Sequence, residues 1–82
     1  AVDTIKLRNL NLLCNNIEDC NSNLFVKVRS TGKLLKAEVK VNDFNAEVKL
    51  ENKEIGISPG QACVFYFKNK IGDKVLGGGW IY

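Results

Sequence analysis

Three stretches of this chain alternate strictly between apolar and polar residues, and that period of two constrains the fold more than any other feature. Leu24, Val26 and Val28 interleave with Phe25, Lys27 and Arg29. Ala37, Val39 and Val41 interleave with Lys36, Glu38 and Lys40, and Ala46, Val48 and Leu50 with Glu47 and Lys49. Successive side chains of a strand point to opposite faces, so each run reads as a half-buried strand of an antiparallel sheet. Between the last two, Asn42-Asp43-Phe44-Asn45 reads as a hairpin turn, because Asn and Asp tolerate turn geometry.

The remaining segments extend the same pattern. In residues 5–13 the apolar positions run Ile5, Leu7 and then Leu10, Leu12 and Leu13, a skipped step that predicts a strand with a bulge before the polar loop 15–23. Ser58-Pro59-Gly60-Gln61 fits a type II turn, with proline presetting φ at the second position and glycine supplying a positive φ at the third. Residues 62–67 are apolar on both faces and are expected to form the most buried strand. The stretch 69–73, with Gly72, is expected to turn the chain back into Val75 and Leu76, ahead of Gly77-Gly78-Gly79 and Trp80.

Six to seven short strands and no helix emerge from 82 residues. The expected fold is therefore all-β, a single domain spanning 1–82 built as a small antiparallel barrel. The chain is too short for a full immunoglobulin-type sandwich, and closure is the natural way to remove exposed strand edges. A domain of this size buries roughly 60% of its unfolded surface, so its core is thin. Hydrophobic residues at 45% and charged residues at 26% are ordinary globular values and argue against disorder. No apolar run reaches the length of about 18 residues needed for a membrane helix. The abrupt opening at Ala1, without a recognisable leader, reads as a boundary within a longer polypeptide.

The formal net charge is only +3, but its placement is uneven. Lys27, Arg29, Lys33, Lys36 and Lys40 stand against Glu38 alone between positions 27 and 40. A cationic strand leading into a glycine-containing turn suits a phosphate backbone, and Arg29 adds bidentate geometry that lysine lacks. The same lysines also suit a solvated strand face that discourages edge pairing.

Catalytic constellations are missing. Cys14, Cys20 and Cys63 form no metal-binding spacing, and the chain has no histidine. An odd cysteine count without a secretion signal favours reduced thiols and the cytosol. Cys63 lies in an apolar strand, where a thiol behaves as a small hydrophobe. Glu38, Glu47, Glu51 and Glu54 are spread along alternating or turn positions, with nothing to separate their pKa values. The triple glycine lacks the Lys-Ser/Thr and helix of a phosphate loop, and within a strand it marks a bulge or a close backbone approach. A single-strand-binding oligonucleotide fold needs aromatics spaced on an exposed face. Phe65, Tyr66 and Phe67 are instead consecutive in a strand expected to be buried.

The run Ser58-Pro59-Gly60-Gln61-x-x-Val64-Phe65-Tyr66, followed by Val75-Leu76-Gly77-Gly78-Gly79-x-Ile81, resembles the C-terminal β-barrel domain of the tRNA-specific 2-thiouridylases. The match is strongest over 58–81, weaker over 27–39 and loose before Leu24. The resemblance implies a fragment of a larger enzyme that thiolates the wobble uridine of tRNA. In that family an upstream adenylating domain uses ATP, catalytic cysteines relay sulfur from a donor, and a central domain together with the barrel holds tRNA. The barrel itself would carry no catalytic group, cofactor or metal, and the protein would be cytoplasmic with no membrane partner.

Residue by residue, the family's Lys-x-Arg-Tyr strand matches Lys27 and Arg29, while Ser30 replaces the tyrosine of its tRNA-contacting Arg-Tyr pair. The glutamine of its Pro-Gly-Gln turn, also a tRNA contact, matches Gln61. With Lys33 these make an expected tRNA-binding set of Lys27, Arg29, Ser30, Lys33 and Gln61. The family barrel is expected to begin with a strand or hairpin upstream of Ala1, which would leave an open edge here. The competing expectation is a structural barrel that caps its parent through interdomain or protein–protein contacts, as in translation elongation factors and aminomethyltransferases.

Overall fold

The computed structural model describes residues 2–13, 17, 24–28, 32–68 and 72–82. These form six strands: β1 (Val2–Leu12), β2 (Leu24–Val28), β3 (Leu34–Asn42), β4 (Asn45–Glu54), β5 (Ala62–Lys68) and β6 (Asp73–Ile81). Every pairing is antiparallel, and the order β1-β4-β3-β2-β5-β6 closes on itself into a barrel. The three alternating runs become β2, β3 and β4. Leu24, Val26, Val28, Ala37, Val39, Ala46, Val48 and Leu50 all point into one core with Ile5, Leu7, Cys63 and Phe65.

The hairpin between β3 and β4 turns where the sequence places it. Asn42 pairs with Asn45, and Asp43 adopts a positive φ of 56°, which an Asp tolerates. The bulge in β1 also forms. Asn9 has φ 55° and the register against β6 shifts between Arg8 and Asn11. The inserted residue resets the alternation, so Leu10 and Leu12 pack against the same core as Ile5 and Leu7. The Leu10 N–H, displaced from the ladder, donates to the Phe44 carbonyl at 3.0 Å.

Two expectations are overturned. No open edge exists among the described strands, because β1 pairs with both β4 and β6 and supplies the closing seam itself. Nor is β5 the most buried strand. Cys63 and Phe65 are enclosed, but Ala62, Val64 and Tyr66 face outward and are only half-buried. A strand in a small barrel has one face on the core and one on solvent, whatever its composition. The most completely enclosed inner row belongs to β2, whose Leu24, Val26 and Val28 are fully buried. The expected turn at 69–73 falls largely outside the described residues, and Lys68 and Asp73 pair on either side of it.

The glycine run is where closure happens. Gly77 has φ +137°, and the β5–β6 register shifts beside it, leaving Leu76 turned into the core. A Cβ on Gly77 would lie 2.8 Å from the Leu12 Cα of β1, and one on Gly78 would lie 2.5 Å from the Cys63 carbonyl oxygen of β5. The strand thus presses backbone against backbone on both sides, as expected of glycine in a strand interior. Gly77→Ala combines a disfavoured φ with a backbone clash and should cost more than the roughly 1–3 kcal/mol typical of strained φ/ψ alone. Gly32→Ala, where φ is +67° and the space is open, should cost about 1–2 kcal/mol. Urea denaturation midpoints of the two variants check this ordering.

Candidate nucleic-acid interface

Closure sorts the outward-facing charges into two halves. Across β1, β4 and β3 they alternate in sign: Lys6 faces Glu47, which faces Lys40, and Lys49 faces Glu38. Opposite charges set directly across a sheet stabilise it and leave little net field. Across β3, β2, β5 and β6 the outward rows are Lys36–Phe25–Tyr66–Val75 and Leu34–Lys27–Val64–Gly78, with no carboxylate in either. The basic segment 27–40 is therefore divided by the fold. Lys40 belongs to the balanced half and Lys27 to the cationic one, while Lys36 stands on the boundary strand between them, close to Glu38 and Glu51.

Lys27 is exposed in the middle of this cationic face. Two residues earlier, the half-buried Phe25 ring lies under two ammonium groups, Lys36 Nζ at 5.0 Å and Lys68 Nζ at 5.1 Å from its centroid. The ring quadrupole holds both cations on one spot of the surface, each by about 0.5–1 kcal/mol at an exposed site. Asp73 stands opposite Lys68 in the ladder. Lys68 is remote from the basic segment in sequence, and only strand pairing brings it here.

Lys33 is exposed, but its Nζ lies 3.4 Å from Glu54 Oε1. The Lys33 end is open to solvent while the Glu54 side chain is only 16% exposed, so a phosphate reaching Lys33 has to compete with a carboxylate held in place beside it. Gln61 serves the turn before it can serve a ligand. Its side-chain oxygen accepts the Ser58 N–H at 3.0 Å, and its own N–H donates to the Ser58 carbonyl at 3.4 Å. The turn is stitched to β6 as well: Gly60 N–H donates to Ile81 O at 2.7 Å, and Ile81 N–H to Gln61 O at 2.9 Å. Gly60 has the positive φ of 90° that a type II turn needs.

Arg29 and Ser30 lie outside the described residues. Val28, immediately before them, is opposite Cys63, two positions after Gln61. Gly32 N–H, immediately after the gap, donates to Val28 O at 3.2 Å. Lys27 and the Gln61 turn thus lie toward the same end of the β2–β5 pair.

The β1–β6 seam carries groups that the sequence reading passed over. Trp80 and Tyr82 are each about half-exposed, and the Arg8 guanidinium carbon lies 5.7 Å from the Tyr82 ring centroid. Alternation back from the buried Ile81 would have placed both aromatics outside. The proximity of Arg8 depends on closure.

Burial pushes the Cys63 thiol from its ordinary 9.0 up to about 12, so it is neutral and shielded, the opposite of a reactive thiolate. Cys14 and Cys20 lie outside the described residues. Among the described residues no group of three His, Cys, Asp or Glu side chains is arranged to hold a metal. No helix among them is long and apolar enough to cross a membrane.

The described strands thus make a closed six-stranded barrel with one balanced and one cationic outer half. The chain belongs to the aminomethyltransferase beta-barrel domain family, whose model it matches over residues 2–81. It is 42% identical over 80 residues to the tRNA-specific 2-thiouridylase MnmA of Maricaulis maris (strain MCS10), covering 98% of this chain and 20% of that protein. The MnmA proteins of Ruegeria sp. (strain TM1040) and Rickettsia felis (strain ATCC VR-1525 / URRWXCal2) are 52% identical over 60 residues and 42% identical over 77. These alignments cover 72% and 92% of this chain, and 15% and 20% of the respective relatives. The resemblance to the 2-thiouridylase barrel is borne out, and the chain spans about a fifth of the length of these curated relatives. No solved structure matches it.

The buried thiol sets a pH dependence. The folded chain keeps the Cys63 proton above pH 9.0, where the unfolded chain releases it. That contribution to stability is complete below pH 9.0 and is lost as pH rises toward about 12, by up to about 1.4 kcal/mol per pH unit. Urea unfolding of the wild type and Cys63→Ala across this range should show the extra slope only in the wild type.

Proposed function

We propose that this barrel is a tRNA-holding domain of a tRNA-specific 2-thiouridylase, the enzyme that thiolates the wobble uridine. On this reading it contributes phosphate and polar contacts and no catalytic group. Adenylation with ATP and sulfur relay from a donor belong to further domains of the same polypeptide, which works in the cytoplasm. The similarity to the MnmA relatives along most of the chain supports the assignment.

The observation that carries the RNA-contacting part is the position of Lys27. It is exposed on the half of the barrel whose paired outward rows hold no carboxylate, near the end where the Gln61 turn is fastened. Lys27, Arg29 and Lys33 are the proposed phosphate contacts, with Ser30 and Gln61 as polar neighbours. Lys27 has the uncharged Leu34 and Val64 on either side, and a cation of this kind releases condensed counterions when it meets phosphate, which is the main source of non-specific affinity.

Titration of the 82-residue chain into tRNA at about 50 and about 200 mM salt tests the proposal. Affinity should fall steeply with salt. Lys27→Ala and Arg29→Ala should each weaken it and reduce the salt slope by about one. Lys40→Ala, in the balanced half, should leave it unchanged. Absence of salt-dependent binding overturns the reading.

A further inference from the structure

We propose that Trp80 and the glycine-floored groove beside it seat an unpaired nucleotide of the bound RNA. The inference rests on the RNA-binding reading above and assigns this surface its substrate class. The groove encloses about 310 Å³ and runs over Gly77, Gly78 and Gly79, between Trp80 on one side and Val75 and Leu13 on the other. Gly77 and Gly79 are buried, and the half-buried Gly78, opposite the outward Val64, carries no side chain, so the floor of the groove is flat. This volume lies at the lower end of the range of small-molecule sites, about 300–1,000 Å³.

The walls have the chemistry of a base site. Trp80 is 51% exposed although it lies in the middle of the closing seam, paired with Ala62 on one side and Arg8 on the other. Asn9 and Asn11 line the groove and bring side-chain amides, which both donate and accept hydrogen bonds, as the edges of a base require. No carboxylate lines it among the described residues. Arg8 is exposed next to Trp80 and leans over the Tyr82 ring, putting a cation where the backbone of a stacked nucleotide would pass.

Exposed aromatics beside cations are the working parts of surfaces that bind unpaired nucleotides. A duplex keeps its bases stacked internally and has none to offer such a groove. The location is also coherent. Trp80 faces Ala62, the residue after Gln61, and Gln61 is bonded to Ile81. The groove therefore adjoins the turn already placed among the RNA contacts.

Trp80 is the single tryptophan of the chain, so intrinsic fluorescence reports on this position alone. The 82-residue chain would be titrated with tRNA, single-stranded oligouridylate and a blunt RNA duplex, with binding followed independently by anisotropy of labelled RNA. Single-stranded RNA and tRNA should quench Trp80 along the same saturation curve as the anisotropy, and the duplex should not. Trp80→Ala should weaken single-strand affinity roughly 5- to 150-fold, the range for one stacked base, while Trp80→Phe, which retains a π-face, should lose much less. Circular dichroism of both variants checks that they fold. RNA binding by anisotropy with unchanged Trp80 emission and full affinity in Trp80→Ala overturns this inference and leaves the RNA-holding role standing. Failure of every RNA to bind overturns both.

Discussion

Everything in this barrel depends on how closely β6 approaches its two neighbours. A six-stranded sheet of this length closes only if its last strand lies against both β1 and β5, and here that contact is made backbone to backbone along Gly77 and Gly78. Any side chain at these positions would push the seam apart, exposing two rows of unpaired amide and carbonyl groups. The register shift beside Gly77 also turns Leu76 inward, so closure and completion of the core occur at the same residues. The turn at Pro59 and Gly60 secures the seam from the other side, because its backbone is bonded to Ile81.

Closure also determines where charge collects. The barrel order pairs β4 with β1 and β3, where Glu47 and Lys49 meet charges of opposite sign, and pairs β2 with β5, whose Val64 and Tyr66 face Lys27 and Phe25 without a carboxylate. The cations of β2 and its flanks are left against a partly apolar, aromatic surface. A surface of this kind attracts a polyanion and also offers rings to bases, whereas a balanced surface does neither. RNA contact through the β2–β5 end and the β1–β6 seam would then come from one continuous side of the molecule, with Gln61 between them.

Much of the architecture was legible before any coordinates. Period-two alternation identified β2, β3 and β4 because burial on one face of a sheet leaves that imprint on the residues themselves. The skipped step at Leu10 announced the bulge at Asn9, and the Pro-Gly pair announced its turn, since both are local backbone requirements. The expected site was legible only in part. Lys27 was correctly placed on an outward face, but the pairing of Lys33 with Glu54 was hidden, as was the use of the Gln61 oxygen inside its own turn. Lys68 over Phe25 and Arg8 beside Trp80 were also missed, because each pair joins strands far apart in the chain.

The sequence by itself determined an all-β chain, its strands and turns, the face each side chain takes, and the family to which it belongs. These follow from local geometry and from residue patterns that remain visible in one dimension. Only the tertiary structure decided that β1 would be the closing strand, that the outside of β5 would stay half-exposed, and that the cations would divide into a balanced half and an unbalanced one. The physical reason is that charge balance and exposure depend on which strands become neighbours. That choice is made by closing the whole sheet around its core, with the glycines of β6 allowing the final approach.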